Sequence, residues 1–187
     1  MGDSTNGSDM AALQPNTDGT GAETALDRIK RCVAAVSVEF DRWDDPLARG
    51  PGLYFVVERG PSAEFVAPMG TNRWPVENCE SVLAGWAAFL RAARSVAFTC
   101  DGAAIVRADG TVRETMVRVE QLPAADHHRV DDLQYADWMG ARHMSALETS
   151  TRRGVTAAVT LSEEDGRVTV FADGTFENVP TEPIEAE

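Results

Sequence analysis

Apolar and polar positions along the chain alternate between two periods. From Ala25 to Val38, ALDRIKRCVAAVSV places Leu26, Ile29, Val33 and Val36 three to four residues apart, the spacing of one buried helix face. NCESVLAGWAAFLRAARS repeats the pattern with Val82, Leu83, Trp86, Phe89 and Leu90; Asn78 is placed to cap it and Glu80 lies in its first turn. A third helix is predicted within YADWMGARHMSALETSTRRG, with Gly154 suited to its C-terminal end. Between them lie shorter runs rich in β-branched and aromatic residues, which predict strands: LYFVVE ended by Gly60-Pro61, EFVAP, VAFT, AAIVR, TVRETMVRV, and the pair VTAAVTLSEE and RVTVFADG around Asp165-Gly166. RWDDPLARGPG and LPAADHHRVDDLQ read as loops. Helices alternating with strand clusters predict an α/β fold, a mixed central sheet flanked by helices.

The ends differ from this pattern. Residues 1–22 are mostly small and polar, with too little apolar surface to offset the entropy of ordering, and are expected to form a disordered acidic tail. TFENVPTEPIEAE is acidic and proline-containing and is expected to fray. The expected division is a tail over 1–22, a helix-and-strand segment over 23–75, a core over 76–176 and an acidic tail over 177–187.

TCDGAAIVRADGTVRETMVRV holds two Asp-Gly pairs. Asp109-Gly110 separates two strand-like runs, as in a hairpin turn. Asp101-Gly102 has no such explanation, because it leads directly into Ala103 and Ala104, which offer little bulk to pack.

Composition narrows the possible classes. The 187 residues are 43% hydrophobic, enough for one cored domain. No run approaches the ~18 apolar residues of a membrane span, and the N-terminus lacks a basic start and an apolar stretch, so a cytoplasmic protein is expected. Cys32, Cys79 and Cys100 are scattered and odd in number, which argues against a disulfide framework and a structural zinc site. Thirty acidic residues against 17 basic ones give a net charge of −13, and Lys30 is the sole lysine. That balance disfavours nonspecific nucleic-acid binding. It matches a surface adapted to a saline cytosol, where counterions screen carboxylates at short range; a GC-rich genome is the alternative source of the Arg preference.

Three segments carry candidate chemistry. Gly140-Ala141-Arg142-His143 falls at or near a helix start, where free N–H groups, a guanidinium and an imidazole suit a polyphosphate; a surface Arg beside a half-buried His is the plain alternative. LSEED places carboxylates at the end of an apolar run, able to share a divalent cation with Asp101 or simply to enter a solvated turn. The third segment is Asp101-Gly102-Ala103 itself. His127-His128 reads as a solvated loop rather than a metal pair. Trp86, Phe89 and Leu90 read as core; Trp138 and Tyr135 read as packing, with adenine stacking as the alternative.

In this order, Asp-Gly-Ala, Gly-Ala-Arg-His and Ser-Glu-Glu resemble the motifs of the diadenylate cyclase (DAC) family over roughly Val82 to Gly174. The acidic, lysine-poor composition fits a stand-alone archaeal or halophilic-type member. The resemblance implies an enzyme that condenses two ATP molecules into cyclic di-AMP and releases two pyrophosphates, using Mn²⁺ or Mg²⁺. It implies Asp101, Arg142 and His143 as catalytic residues. It also implies a nucleotide site of Gly102, Ala103, Gly140, Ala141, Arg142, His143 and Ser162, and metal ligands Asp101, Glu163 and Glu164. Gly102 and Ala103 then let backbone and nucleotide approach closely. ATP would be the substrate, with no membrane or nucleic acid as partner.

Two positions depart from the family: its Thr is Ala141 here, and its second Arg is Met144. The loss of a hydroxyl and a cation weakens the grip on a triphosphate by about 1–3 kcal/mol if those bonds were charge-assisted. Arg152 and Arg153 are the candidates to compensate; otherwise these departures mark a weakly active module that binds ATP or cyclic di-AMP as a sensor. An interaction module without a nucleotide site is the third reading.

The resemblance further implies a homodimer, at least transient, in which each 3′-hydroxyl attacks the other subunit's nucleotide. Subunits of charge −13 repel at low salt, so activity is expected to rise with ionic strength; flat or falling activity from dilute to molar salt would contradict this.

Overall fold

The computed structural model describes residues 23–59, 64–113 and 115–181. The predicted N-terminal tail, residues 1–22, and the last six residues of the predicted 177–187 tail lie outside the described residues, as does Gly60-Pro61.

Helix α1 (Ala25–Glu39) starts where Thr24 caps it, its hydroxyl accepting the N–H of Asp27. Its apolar stripe is buried through Ile29, Val33 and Val36, as the spacing predicts. After a loop, strand β1 (Leu53–Glu58) is buried along its whole length. Such a strand must have cover on both faces. Leu53, Phe55 and Val57 point into one cluster with Ile29, Val33, Phe89, Val96, Val159 and Leu161. Tyr54 and Val56 point into another with Ala146, Leu147, Ala158 and Phe171. Helices α1 and α2 (Trp86–Thr99) therefore cover one face of the sheet, and α3 (Ala141–Ser150) covers the other.

Strands β3 (Ala104–Arg107), β5 (Val155–Leu161), β6 (Val168–Ala172) and β7 (Thr175–Val179) complete a five-stranded sheet in the order β3-β1-β5-β6-β7. β1 runs parallel to β3 and antiparallel to β5, and β5-β6-β7 form an antiparallel meander. The expected mixed sheet flanked by helices is thus present. A separate ribbon pairs β2 (Val66–Arg73) with β4 (Thr115–Val119).

Three local expectations need correction. The second helix begins at Trp86, not after Asn78, with Gly85 at its N-cap and no side-chain cap. The preceding residues are held by the turn at residues 109–111 instead: Val82 N–H bonds Gly110 C=O, Val112 N–H bonds Glu80 C=O, and Ser81 bridges Thr111. VAFT is the last turn of that helix and not a strand; Val96 and Ala97 continue the buried face begun by Phe89, Ala92 and Ala93. The start of the C-terminal stretch does not fray. Asp173 (φ 48°) and Gly174 (φ 74°) form a tight turn, and Thr175–Val179 return along β6 as an edge strand.

The Asp109-Gly110 turn is present. Asp109 Oδ1 accepts the Thr111 N–H at 2.9 Å, and Val106 faces Val112. The loop around His127-His128 contains a short 3-10 helix, Ala124–Arg129. Cys32 and Cys79 are buried and Cys100 is half-buried, and all three are free thiols. No described helix is long and apolar enough to cross a membrane.

Candidate functional site

The sheet brings three distant chain segments to one end. β5 finishes at Leu161, and residues 162–166 turn tightly into β6, with Gly166 N–H bonded to Ser162 C=O. The first turn of α3 lies beside this strand end. Gly140 is its N-cap and no side chain caps it, so early N–H groups of the helix are available to an anion. Trp138, Gly140, Ala141, Arg142, His143, Ser162, Glu163, Glu164 and Asp165 line a cavity of about 330 Å³. The sequence-predicted residues of the second and third motifs therefore share one cavity.

Arg142 is the centre of its charge. One guanidinium nitrogen pairs with Glu163 Oε1, and another donates to Leu161 C=O at 3.4 Å. The other oxygen of Glu163 takes Arg49 Nε at 3.2 Å, and Arg49 Nη2 lies 3.9 Å from Asp101 Oδ1. Four side chains thus form a row of alternating sign, Arg142–Glu163–Arg49–Asp101. Asp101 and Arg142 stand on the same side of the molecule. Partial burial alone would push the Glu163 carboxyl up, but the hydrogen bond and charge of Arg142, followed by those of Arg49, hold it below the usual carboxylate range.

Gly102 answers why Asp-Gly precedes β3. Its φ of 95° suits glycine, and a Cβ there would stand 2.7 Å from Val117 C=O and 2.8 Å from Met69 Sδ. The chain leaves α2, reverses at Gly102 and joins β4 through paired hydrogen bonds between Ala103 and Val117. That reversal leaves the Asp101 side chain 67% exposed, with its backbone carbonyl accepting from Asn72 Nδ2 at 3.0 Å. Ala103 itself is fully buried, so its role is to let the strand pack.

His143 is 6% exposed and its Nε2 is buried without a hydrogen-bond partner. Trp138 meets it edge-on at 5.0 Å and Phe171 lies behind it at 6.4 Å. Burial, then the positive charge of Arg142, lowers its pKa against the opposing pull of Asp165. The imidazole is held neutral at pH 7, able to donate to or accept from a ligand group in the cavity. Ser162 Oγ accepts the Glu164 N–H at 3.3 Å and helps hold the Asp165 carboxylate below its usual range, so its hydroxyl already braces the turn. Trp138 packs as expected, on Phe176 and His143; it also lies under the Arg167 guanidinium at 4.2 Å and lines the cavity. Tyr135 is half-exposed and donates to Glu148 at 3.1 Å.

Among the described residues no group of three His, Cys, Asp or Glu side chains converges as a metal cage. Glu163 has both oxygens on guanidiniums. Asp101 is different: it is well exposed and its nearest cation is 3.9 Å away. One free carboxylate is the donor set for a hard cation carried in on phosphate oxygens, as Mg²⁺ commonly is.

Arg49 and the glycines beside it were not among the sequence-predicted residues. A Cβ on Gly52 would stand 2.4 Å from Glu163 Oε1 and 2.6 Å from Arg142 Nη1, and one on Gly50 would meet Glu163 C=O at 2.6 Å. The loop before β1 therefore presses against the site. Arg152 and Arg153, expected to compensate for Met144, follow the far end of α3, about 15 Å away along a ten-residue helix. They line another cavity, with Phe65, Leu122, Pro123 and Arg129. They do not reach the Arg142 site.

Residues 88–176 match the family described as DAC, the nucleotide-binding domain of the DisA bacterial checkpoint controller. A crystal structure from Bacillus cereus, described as a hypothetical membrane spanning protein, is similar to this fold: TM-score 0.55 and 18% identity, covering 83% of this chain and 63% of that one. This chain thus spans less than two thirds of that protein. A double mutant of DacA from Staphylococcus aureus is similar at TM-score 0.49 and 16% identity, covering 82% and 85% of the two chains. No curated protein matches the sequence.

A neutral buried His143 has a consequence for stability. Its folded pKa lies below the unfolded value of 6.5, so the unfolded chain binds the proton first and stability is lost as pH falls from about 6.5 towards the folded value. The urea midpoint of the wild type should fall more between about pH 7.5 and 5.5 than that of His143→Gln. Parallel pH profiles would show that the imidazole is not held neutral.

Proposed function

We propose that this chain, which carries a DAC domain over residues 88–176, is a diadenylate cyclase that joins two ATP molecules into cyclic di-AMP. The observation that carries the reading is the convergence of Arg142, His143, Glu163 and Asp101 on one end of the sheet, beside the uncapped start of α3.

The reaction makes a bond from the 3′-oxygen of one ATP to the α-phosphorus of another, breaks the bond from that phosphorus to the pyrophosphate oxygen, and frees one proton. Repeated in the opposite sense, it closes the ring and gives two pyrophosphates. The transition state carries charge on the transferred and leaving phosphates, so fixed cations and N–H donors do most of the work. Arg142 and the first turn of α3 are suited to the phosphates. His143, with an unpartnered Nε2 at the cavity wall, is suited to a phosphate oxygen. Asp101 is free to align the attacking hydroxyl and accept its proton. A divalent cation, Mn²⁺ or Mg²⁺, would neutralise phosphate charge when bound; Asp101 is the residue best placed to hold it with the nucleotide, and Glu164 lines the neighbouring cavities.

The site is open. Asp101 is exposed, with the Arg49 guanidinium 3.9 Å away. This supports a face-to-face homodimer, each subunit carrying one ATP whose hydroxyl meets the other's phosphate, and a two-fold product suits a two-fold assembly. The second reading, a sensor that binds ATP or cyclic di-AMP without turnover, is favoured by Ala141 and Met144, which leave one hydroxyl and one cation fewer in the first turn of α3.

Incubation with ATP and Mn²⁺ or Mg²⁺ is expected to yield cyclic di-AMP and pyrophosphate. Asp101→Asn, isosteric and exposed, should keep the thermal midpoint and lose synthesis by about 10³-fold or more. Thermal stabilisation by ATP without product would select the sensor. Normal turnover by Asp101→Asn would remove this carboxylate from the mechanism.

A further inference from the structure

Met144 leaves the first turn of α3 one cation short of the pattern the sequence resembles, and the next arginines along the chain, Arg152 and Arg153, follow the far end of the helix. Another arginine does reach the site, from a segment before the DAC-matched residues. Arg49 sits in the loop between α1 and β1 and touches both acidic members of the row, Glu163 at 3.2 Å and Asp101 at 3.9 Å.

We propose that Arg49 is a phosphate-binding residue of this site and supplies the cation that Met144 does not. The proposal rests on the nucleotide reading above.

Two features support it beyond proximity. The first is that the chain beside it is closely packed while its own side chain stays exposed. Gly50 packs against the Trp43 ring and the backbone of Glu163, and Gly52 packs against Glu163 and Arg142, at distances that leave no room for a Cβ. The loop is thereby anchored on the site. Yet the Arg49 side chain is 76% exposed, at the rim. A guanidinium on a fixed base with a free end can turn from one anion to another with little reorganisation. The second feature is what it holds. Arg142 and Arg49 take the two oxygens of the same carboxylate, Glu163. A carboxylate clasped by two guanidiniums occupies the position in which a phosphate group, with more charge and more acceptor oxygens, makes the same two contacts.

Other cations nearby have close partners of their own. Arg167 pairs with Asp165 at 2.8 Å and stacks over Trp138. Arg42 pairs with Asp45 at 2.7 Å. The cavity lined by Arg49, Trp43, Pro46, Glu163 and Glu164 adjoins the Arg142 cavity through its shared glutamates, so a triphosphate extending past Arg142 runs towards Arg49.

The test is ATP binding by the full chain in EDTA, which prevents turnover, measured by calorimetry for the wild type, Arg49→Ala, Met144→Arg, the double variant and Arg153→Ala. Arg49→Ala should weaken ATP about tenfold, the effect of losing one charge-assisted bond. Arg153→Ala should leave affinity unchanged. Met144→Arg in the Arg49→Ala background should recover most of the loss. Wild-type affinity in Arg49→Ala, or an equal loss in Arg153→Ala, would overturn the proposal. Failure of Met144→Arg to recover binding would overturn the replacement of one cation by the other. Absence of ATP binding by a folded wild type, in EDTA and with Mg²⁺ alike, would overturn the nucleotide reading itself, and this inference with it.

Discussion

The Glu163 carboxylate, clasped between Arg142 and Arg49, ties together parts of the chain that share no local sequence. One guanidinium comes from the first turn of α3, the other from the loop before β1, and the carboxylate from the turn after β5. Without it two arginines would stand close together with no counter-charge between them. A chain of net charge −13 sets two guanidiniums here in a row of alternating sign with Glu163 and Asp101. On the proposed reading, this row is the place where a phosphate group takes over the two contacts of the carboxylate.

The sheet makes that meeting possible. β1 and β5 are adjacent and antiparallel, so the start of β1 lies beside the end of β5, with Leu53 opposite Leu161. The loop entering β1 and the turn leaving β5 are neighbours by register. Gly50 then lets the loop approach the Glu163 backbone, and Gly52 leaves room for the Glu163 and Arg142 side chains, at distances a Cβ would prevent. α3 is set over the opposite face from α1 and α2 by Ala146 and Leu147 packing on Val56, Ala158 and Phe171. Core packing thus fixes the angle at which the helix start meets the strand end. The neutral imidazole of His143 belongs to this same packing, between Trp138 and Phe171.

Much of this was legible in the chain. Helical periodicity marked α1 and the body of α2, a third helix was expected in the segment that holds α3, and the β-branched runs marked β1, β3, β5 and β6. Grouping Asp101, Arg142 and Glu163 required motif order, since each is an ordinary surface residue by composition. The misplaced start of α2 has a physical cause: the apolar spacing continues through Val82 and Leu83, but the Val82 N–H is taken by Gly110 C=O, a partner distant in sequence, and the Leu83 N–H by Ser81 Oγ. β7 was hidden by an acidic edge strand with one exposed face, although Asp173-Gly174 carried the same turn signal read correctly at Asp109-Gly110. Arg49 carried no local signal. A single arginine in a loop gains its meaning only from strand register, while RGPG, with two glycines flanking a strand entry, was the nearest hint of close approach.

The central claim, that one anion is gripped by groups from these separate segments, is tested most directly by NMR of the arginine side-chain Nε–H signals during ATP titration. The account predicts that the signals of Arg142 and Arg49 shift together along one saturation curve as Glu163 is displaced, while those of Arg129 and Arg152 stay in place. Shifts confined to Arg129 and Arg152, or no saturable shift at Arg142, would contradict it.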